Sequence, residues 1–114
     1  MDKIEKYQNV IISFLNRYVE ETSGGYLDDS VKRRVLIDKI NNSFQLLSTG
    51  WRGQNYTFGT IFHFDIINEK IWMQCNNTER EVVDEFMAEG VDSQDIVLGF
   101  VPPYARHFSG FAVA

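Results

Sequence analysis

The chain has 114 residues, enough for one core and too few for two. Apolar residues make up 44% and aromatic residues 14%, which excludes a disordered chain, and no apolar run is long enough to span a bilayer. A net charge of −5 and a pI near 4.9 argue against a protein that grips DNA unaided, because phosphate contacts need a basic face. The single cysteine, Cys75, has no internal partner for a disulfide, and the charged start MDKIEKYQNV lacks the apolar stretch of a signal peptide. The expectation is a cytoplasmic protein.

Residues 2–22 read as a helix. Asp2 can cap it, and Ile4, Tyr7, Ile11, Phe14, Leu15 and Tyr18 recur at spacings of three and four, one face of a helix. Ser23-Gly24-Gly25 stops it, and 23–31 reads as a polar loop. The dense basic run Lys32-Arg33-Arg34 follows. The plain reading is solvated charge at the start of a strand; the sharper one is a phosphate contact.

From Lys32 to Asn76 the hydrophobic period changes to two. Strands are expected over 35–40, 44–51, 56–67 and 70–75. The turns between them are Asn41-Asn42-Ser43, RGQN and Asn68-Glu69. Thr78 and Glu81 have capping-box spacing, so a second helix is expected to open at Thr78, with Val82, Val83, Phe86 and Met87 as its apolar face and Gly90 as its stop. IVLGF (96–100) reads as a buried strand or extended segment, Pro102-Pro103 breaks the chain, and GFAVA packs down at the end. The expected fold is α+β, a single domain over 1–114. It has a four-stranded antiparallel meander with both helices on one face and a short C-terminal segment alongside.

The stretch FHFDIINEKIWMQCNNTE (62–79) carries the chemically active side chains. In the third strand the even positions, Tyr56 to Ile66, are nearly all aromatic or aliphatic and are assigned to the helices. His63 and Asp65 then share the other face, about 6.6 Å apart. Folding the hairpin at Asn68-Glu69 sets Asp65 opposite Trp72 and His63 opposite Gln74, and sends Cys75 inward as a small core residue. Catalysis by this face would need a nucleophile and an oxyanion donor in reach, and no Gly-x-Ser-x-Gly turn is present. A metal site would need more ligands than His63 and His107 offer, and no Cys-x-x-Cys occurs. No catalytic residue, metal or cofactor is therefore assigned. The assignment is a protein-contact surface built on Trp72, Asp65, His63 and Gln74, with Trp51 in an adjacent strand, because exposed aromatics concentrate at interface centres. The plainer alternative is a solvated sheet face. Arg106 and His107 offer an anion contact, set against the simpler role of Arg106 tying down backbone carbonyls.

Gly50-Trp51 with Gly53, HFDI, KIWMQ, Thr78-Glu79 and the run DIVLGFVPPYARHFSGFAVA together resemble the XisI family, the fdxN element excision controlling factors. The resemblance covers nearly the whole chain, and its C-terminal run is the specific part. It implies an accessory protein of the kind that controls site-specific excision of a DNA element during heterocyst differentiation in cyanobacteria. It also implies work alongside a XisH-like companion and a recombinase, with no enzymatic activity of its own. The acidic charge fits such a protein acting through contacts with the companion or the recombinase, or with a second copy, and not through strong direct DNA binding. The rival classes are a small nuclease or hydrolase subunit and an anion-binding module.

Overall fold

In a computed structural model that describes residues 2–23 and 30–114, the chain opens with α1 (Lys3–Glu21). Asp2 caps it, its Oδ1 accepting from the Glu5 amide at 2.7 Å. Four strands follow in antiparallel order: β1 (Val31–Asp38), β2 (Ser43–Arg52), β3 (Asn55–Ile67) and β4 (Lys70–Asn76). Then come α2 (Val82–Ala88), a 3-10 turn at Ser93–Asp95, β5 (Ile96–Leu98) and a 3-10 stretch over Pro103–Phe108. No helix among the described residues is long and apolar enough to cross a membrane.

The α+β class holds, but the sheet is mixed and has five strands, in the order β1-β2-β3-β4-β5. The segment at 96–98 joins β4 in parallel, Ile71 facing Ile96 and Met73 facing Leu98. A parallel partner needs a crossover, and α2 supplies it. β1 also starts at Val31 and ends at Asp38, which draws Lys32, Arg33 and Arg34 into the strand. Most of the loop expected at 23–31 lies outside the described residues.

The turns follow their residue chemistry. Asn68 and Glu69 both have positive φ (52° and 62°), the conformation of a two-residue hairpin turn that matches strand twist. Gly53 (φ 60°) serves the β2–β3 turn. The second helix does not open where the capping box places it. α2 begins at Val82, and Glu81 at its cap makes no side-chain cap bond. Thr78 Oγ1 instead accepts from the Arg80 amide at 3.0 Å and donates to Asn76 Oδ1 at 2.6 Å, a local turn that competes with helix.

The core lies between α1, α2 and one sheet face. Tyr7, Ile11, Phe14 and Leu15 of α1 meet Phe44, Leu46, Phe62 and Phe64, with Val82 and Phe86 of α2 alongside. Phe14 sits edge-on to Phe62 and Phe86, at 5.1 Å and 5.5 Å between centroids, the packing that ring quadrupoles favour. Ion pairs rim this layer. Arg80 joins Glu85 and Glu21 at 2.6 Å each and lies over the Phe14 and Tyr18 rings. The Arg80 guanidinium beside Glu85 holds that carboxyl below its ordinary range. Tyr7 donates to Asp95 at 2.5 Å, and Lys3 pairs with the same carboxylate. Burial first, then the bond to Asp95, pushes the Tyr7 phenol up to about 12.

Candidate functional site: the outer face of the sheet

The register fixes which side chains share the face turned away from the helices. Facing residues of paired strands point the same way. Ser43 faces Asp65, and Asp65 faces Trp72; Gln45 faces His63; Leu47 faces Thr60; Thr49 faces Phe58; Trp51 faces Tyr56. Between Leu46 and Leu47 the register shifts, so Ile61 is an extra residue in β3. A bulge of one residue exchanges the two faces of the strand beyond it.

The bulge corrects the expected strand parity. Phe62, Phe64 and Ile66 face the core, as the even positions of β3 should. Tyr56 and Phe58 do not, and they stand 55% and 69% exposed on the outer face. Trp51, 57% exposed, lies against Tyr56 with 5.0 Å between ring centroids. The bulge is stitched in place from outside the strand pair: Ile61 O accepts from the Asn77 amide at 2.9 Å, and Thr60 O from the Asn77 side chain at 2.8 Å.

A second shift in β4 leaves Gln74 as the extra residue, so His63 faces Cys75 and not Gln74. Cys75 is accordingly half-buried on that side, not a core residue with Met73, and its Sγ lies 3.8 Å from the carbonyls of Thr60 and Ile61. Gly99 sits where the displaced Gln74 side chain passes. A Cβ there would stand 2.2 Å from Gln74 Oε1, so any larger residue would push the Gln74 side chain from this position.

The central part of the face is a polar cluster. His63 Nε2 lies 3.0 Å from Asp65 Oδ1, and Nδ1 lies 2.9 Å from Gln45 Oε1. Gln74 donates to Asp65 Oδ2 at 3.3 Å. The cluster also contains Ser43, which the sequence reading did not include. Counted from the Arg52–Asn55 turn without a bulge, Ser43 would face Phe64; the extra residue moves it opposite Asp65. Ser43 Oγ donates to Asp65 Oδ1 at 2.5 Å and lies 3.3 Å from His63 Nε2.

Serine, histidine and aspartate thus meet, but not as a nucleophile relay. A relay needs histidine between the other two, taking the serine proton on one ring nitrogen and held by the carboxylate on the other. Here serine and carboxylate meet the same nitrogen, and the serine proton goes to the carboxylate. Among the described residues, no group of three His, Cys, Asp or Glu side chains is arranged to hold a metal ion. A shallow depression of about 370 Å³ borders the cluster, lined by Val35, Leu36, Ile37, Gln45 and His63.

Trp72 lies on the outer face beside Asp65, but the C-terminal segment covers it. The Arg106 guanidinium sits 5.0 Å from the Trp72 ring centroid. Arg106 donates to the carbonyls of Val101 at 2.9 Å and of Gly99 and Val113 at 3.3 Å. The Trp72 indole nitrogen is buried there and meets no hydrogen-bond partner among the described residues. His107 is exposed and lies against the Phe108 ring. The outer face therefore has a capped end at Trp72, a polar centre at His63 and an open aromatic end at Trp51, Tyr56 and Phe58.

Comparison with known proteins agrees with this architecture. No curated protein matches the chain. A crystal structure of a XisI-like protein from Anabaena variabilis superposes with a TM-score of 0.89 at 34% identity, covering 97% of this chain and 99% of that one. The crystal structure of the fdxN element excision controlling factor XisI, also from Anabaena variabilis, gives 0.85 at 32% identity over 99% and 100% of the two chains. The family model for the XisI protein matches residues 1–113. From the bulged five-stranded sheet to the folded-back C-terminal run, the chain belongs to the XisI family.

Proposed function

We propose that the chain is a non-enzymatic accessory protein in the control of DNA element excision, and that it acts by protein contact through its outer sheet face. Membership of the XisI family supports the role, since a structural neighbour carries the name of an excision controlling factor. The observation that carries the mechanism is the open cluster of Trp51, Tyr56 and Phe58. Three large aromatics exposed side by side are costly in water and are the residue types that anchor interfaces. The docked protein is a XisH-like companion or the recombinase itself. An enzymatic reading is disfavoured by the arrangement at His63, where nothing draws the proton from Ser43 toward the histidine.

The test is co-purification with a XisH-like companion from the same source. Trp51→Ala is expected to weaken the complex by about 2 kcal/mol, the scale of an interface hot spot, with the far-UV spectrum unchanged. Unaltered capture by Trp51→Ala and by Phe58→Ser would remove this face from the mechanism.

A further inference from the structure

The two edges of the sheet are built differently. β5 is three residues long, and Val97 in it also bridges to Ala112 of the C-terminal segment. β1 is eight residues long, contains neither proline nor glycine, and ends the sheet on the other side. Among the described residues no strand lies along its outer edge. Such an edge is a template for another strand unless charge, proline or a bulge blunts it. The first half of β1 carries Lys32, Arg33 and Arg34, but the second half does not follow suit. Leu36 is 47% exposed and Ile37 44% exposed.

We propose that this edge is occupied by β1 of a second copy, paired antiparallel about a two-fold axis through Leu36. The order of residues in Arg34-Val35-Leu36-Ile37-Asp38 selects that occupant. In this register Leu36 faces its own counterpart, Val35 faces Ile37 of the second copy, and Arg34 faces Asp38 of the second copy. All five facing pairs are apolar on apolar or basic on acidic, and both kinds stabilise an antiparallel ladder. Moving the axis to Arg34 sets two guanidinium groups against each other. Moving it to Val35 sets Arg34 on Leu36 and Arg33 on Ile37, and Arg33 already donates to Thr22 and to Val19 O of α1. Asp38 is fixed at the end of the strand, its carboxylate accepting from the Asn41 amide at 2.9 Å and the Asn41 side chain at 2.8 Å. The assembly is a continuous ten-stranded sheet with closed two-fold symmetry. It uses the edge and leaves the Trp51 face open, so it stands apart from the companion contact proposed above.

The experiment combines sedimentation with a cysteine scan. Across a concentration series the protein is expected to pass from monomer to dimer. Arg34→Glu, which sets like charges opposite each other twice, should raise Kd about tenfold, while Lys32→Glu, outside the five pairs, should change it less than about twofold. In a Cys75→Ser background, Leu36→Cys treated with diamide should give a disulfide-linked dimer. Only the residue on the axis faces itself at about 5 Å, within the reach of a disulfide. Arg34→Cys places its thiols about 13 Å apart along the strands and should not cross-link. Circular dichroism of each variant separates loss of pairing from loss of fold. A protein that stays monomeric throughout, a cross-linking maximum away from position 36, or equal effects of Arg34→Glu and Lys32→Glu would each overturn the proposal.

Discussion

Arg106 holds the C-terminal segment to the sheet, and its removal should cost far more than an ordinary surface substitution. Arg106→Ala deletes three hydrogen bonds from a charged donor to the carbonyls of Gly99, Val101 and Val113, together with the contact over the Trp72 ring. A hydrogen bond from a charged group contributes about 1.5–3 kcal/mol when short and shielded. Two of these three are long, at 3.3 Å, and one lies in an exposed setting, so the set contributes less than the sum of its parts. With about 1 kcal/mol for the ring contact, the expected loss is about 3 kcal/mol. Arg106→Lys should lose most of the same amount, because a single ammonium group cannot reach three carbonyls with fixed geometry. The protein has two tryptophans, so a Trp51→Phe background leaves Trp72 as the only indole. Guanidinium unfolding followed by Trp72 emission then gives stability and local exposure together. The expected result is a lower midpoint, and a native-state emission shifted to the red as the indole meets water. A loss under about 0.5 kcal/mol with unshifted emission would mean that the C-terminal segment is held by other contacts and that the reading of Arg106 is wrong.

Other expectations follow from the same geometry. Thr78→Ala should cost about 1 kcal/mol by opening the Asn76–Arg80 turn, with hydrogen exchange of the α2 amides unchanged; faster exchange there would restore a capping role. The Tyr7 phenol, raised from 10.0 to about 12, is protonated in the fold at pH values where the unfolded chain loses its proton. Its contribution to stability is therefore complete below pH 10 and lost as the pH rises toward 12. Tyr7→Phe should flatten that alkaline decline, and one phenol should titrate last in ultraviolet difference spectra. Glu85 has the opposite sign. Its lowered pKa adds stability above the unfolded value of 4.5 that is lost on acidification, so Glu85→Gln should shallow the acid limb of a pH–melting curve. At −5 net charge the protein alone should bind duplex DNA weakly and without sequence preference at physiological salt; sub-micromolar selective binding in a fluorescence titration would shift attention to Lys32 and Arg34.

Local chemistry written into the sequence determined most of the elements. The spacing of Tyr7, Ile11 and Phe14 specifies a helix face, Asp2 its start, and Asn68-Glu69 a tight hairpin turn, because each of these depends on neighbours within a few residues. The register from Ile67 back to Asp65, which places Asp65 beside Trp72, is legible for the same reason: it is counted from the turn. The bulges at Ile61 and Gln74 are not local. Asn77, well beyond β3, bonds the carbonyls at Thr60 and Ile61, and Gly99 lies beside the Gln74 side chain, so both bulges are met by residues distant in sequence. Only the tertiary structure could therefore turn Tyr56 and Phe58 outward, draw Ser43 to Asp65 and set Cys75 opposite His63. The parallel pairing of β5 and the capping of Trp72 by Arg106 are also long-range, and no period in the sequence encodes them. Thr78 shows the remaining kind of difference. The same hydroxyl can cap a helix or close a turn, and the backbone path out of β4 decided for the turn.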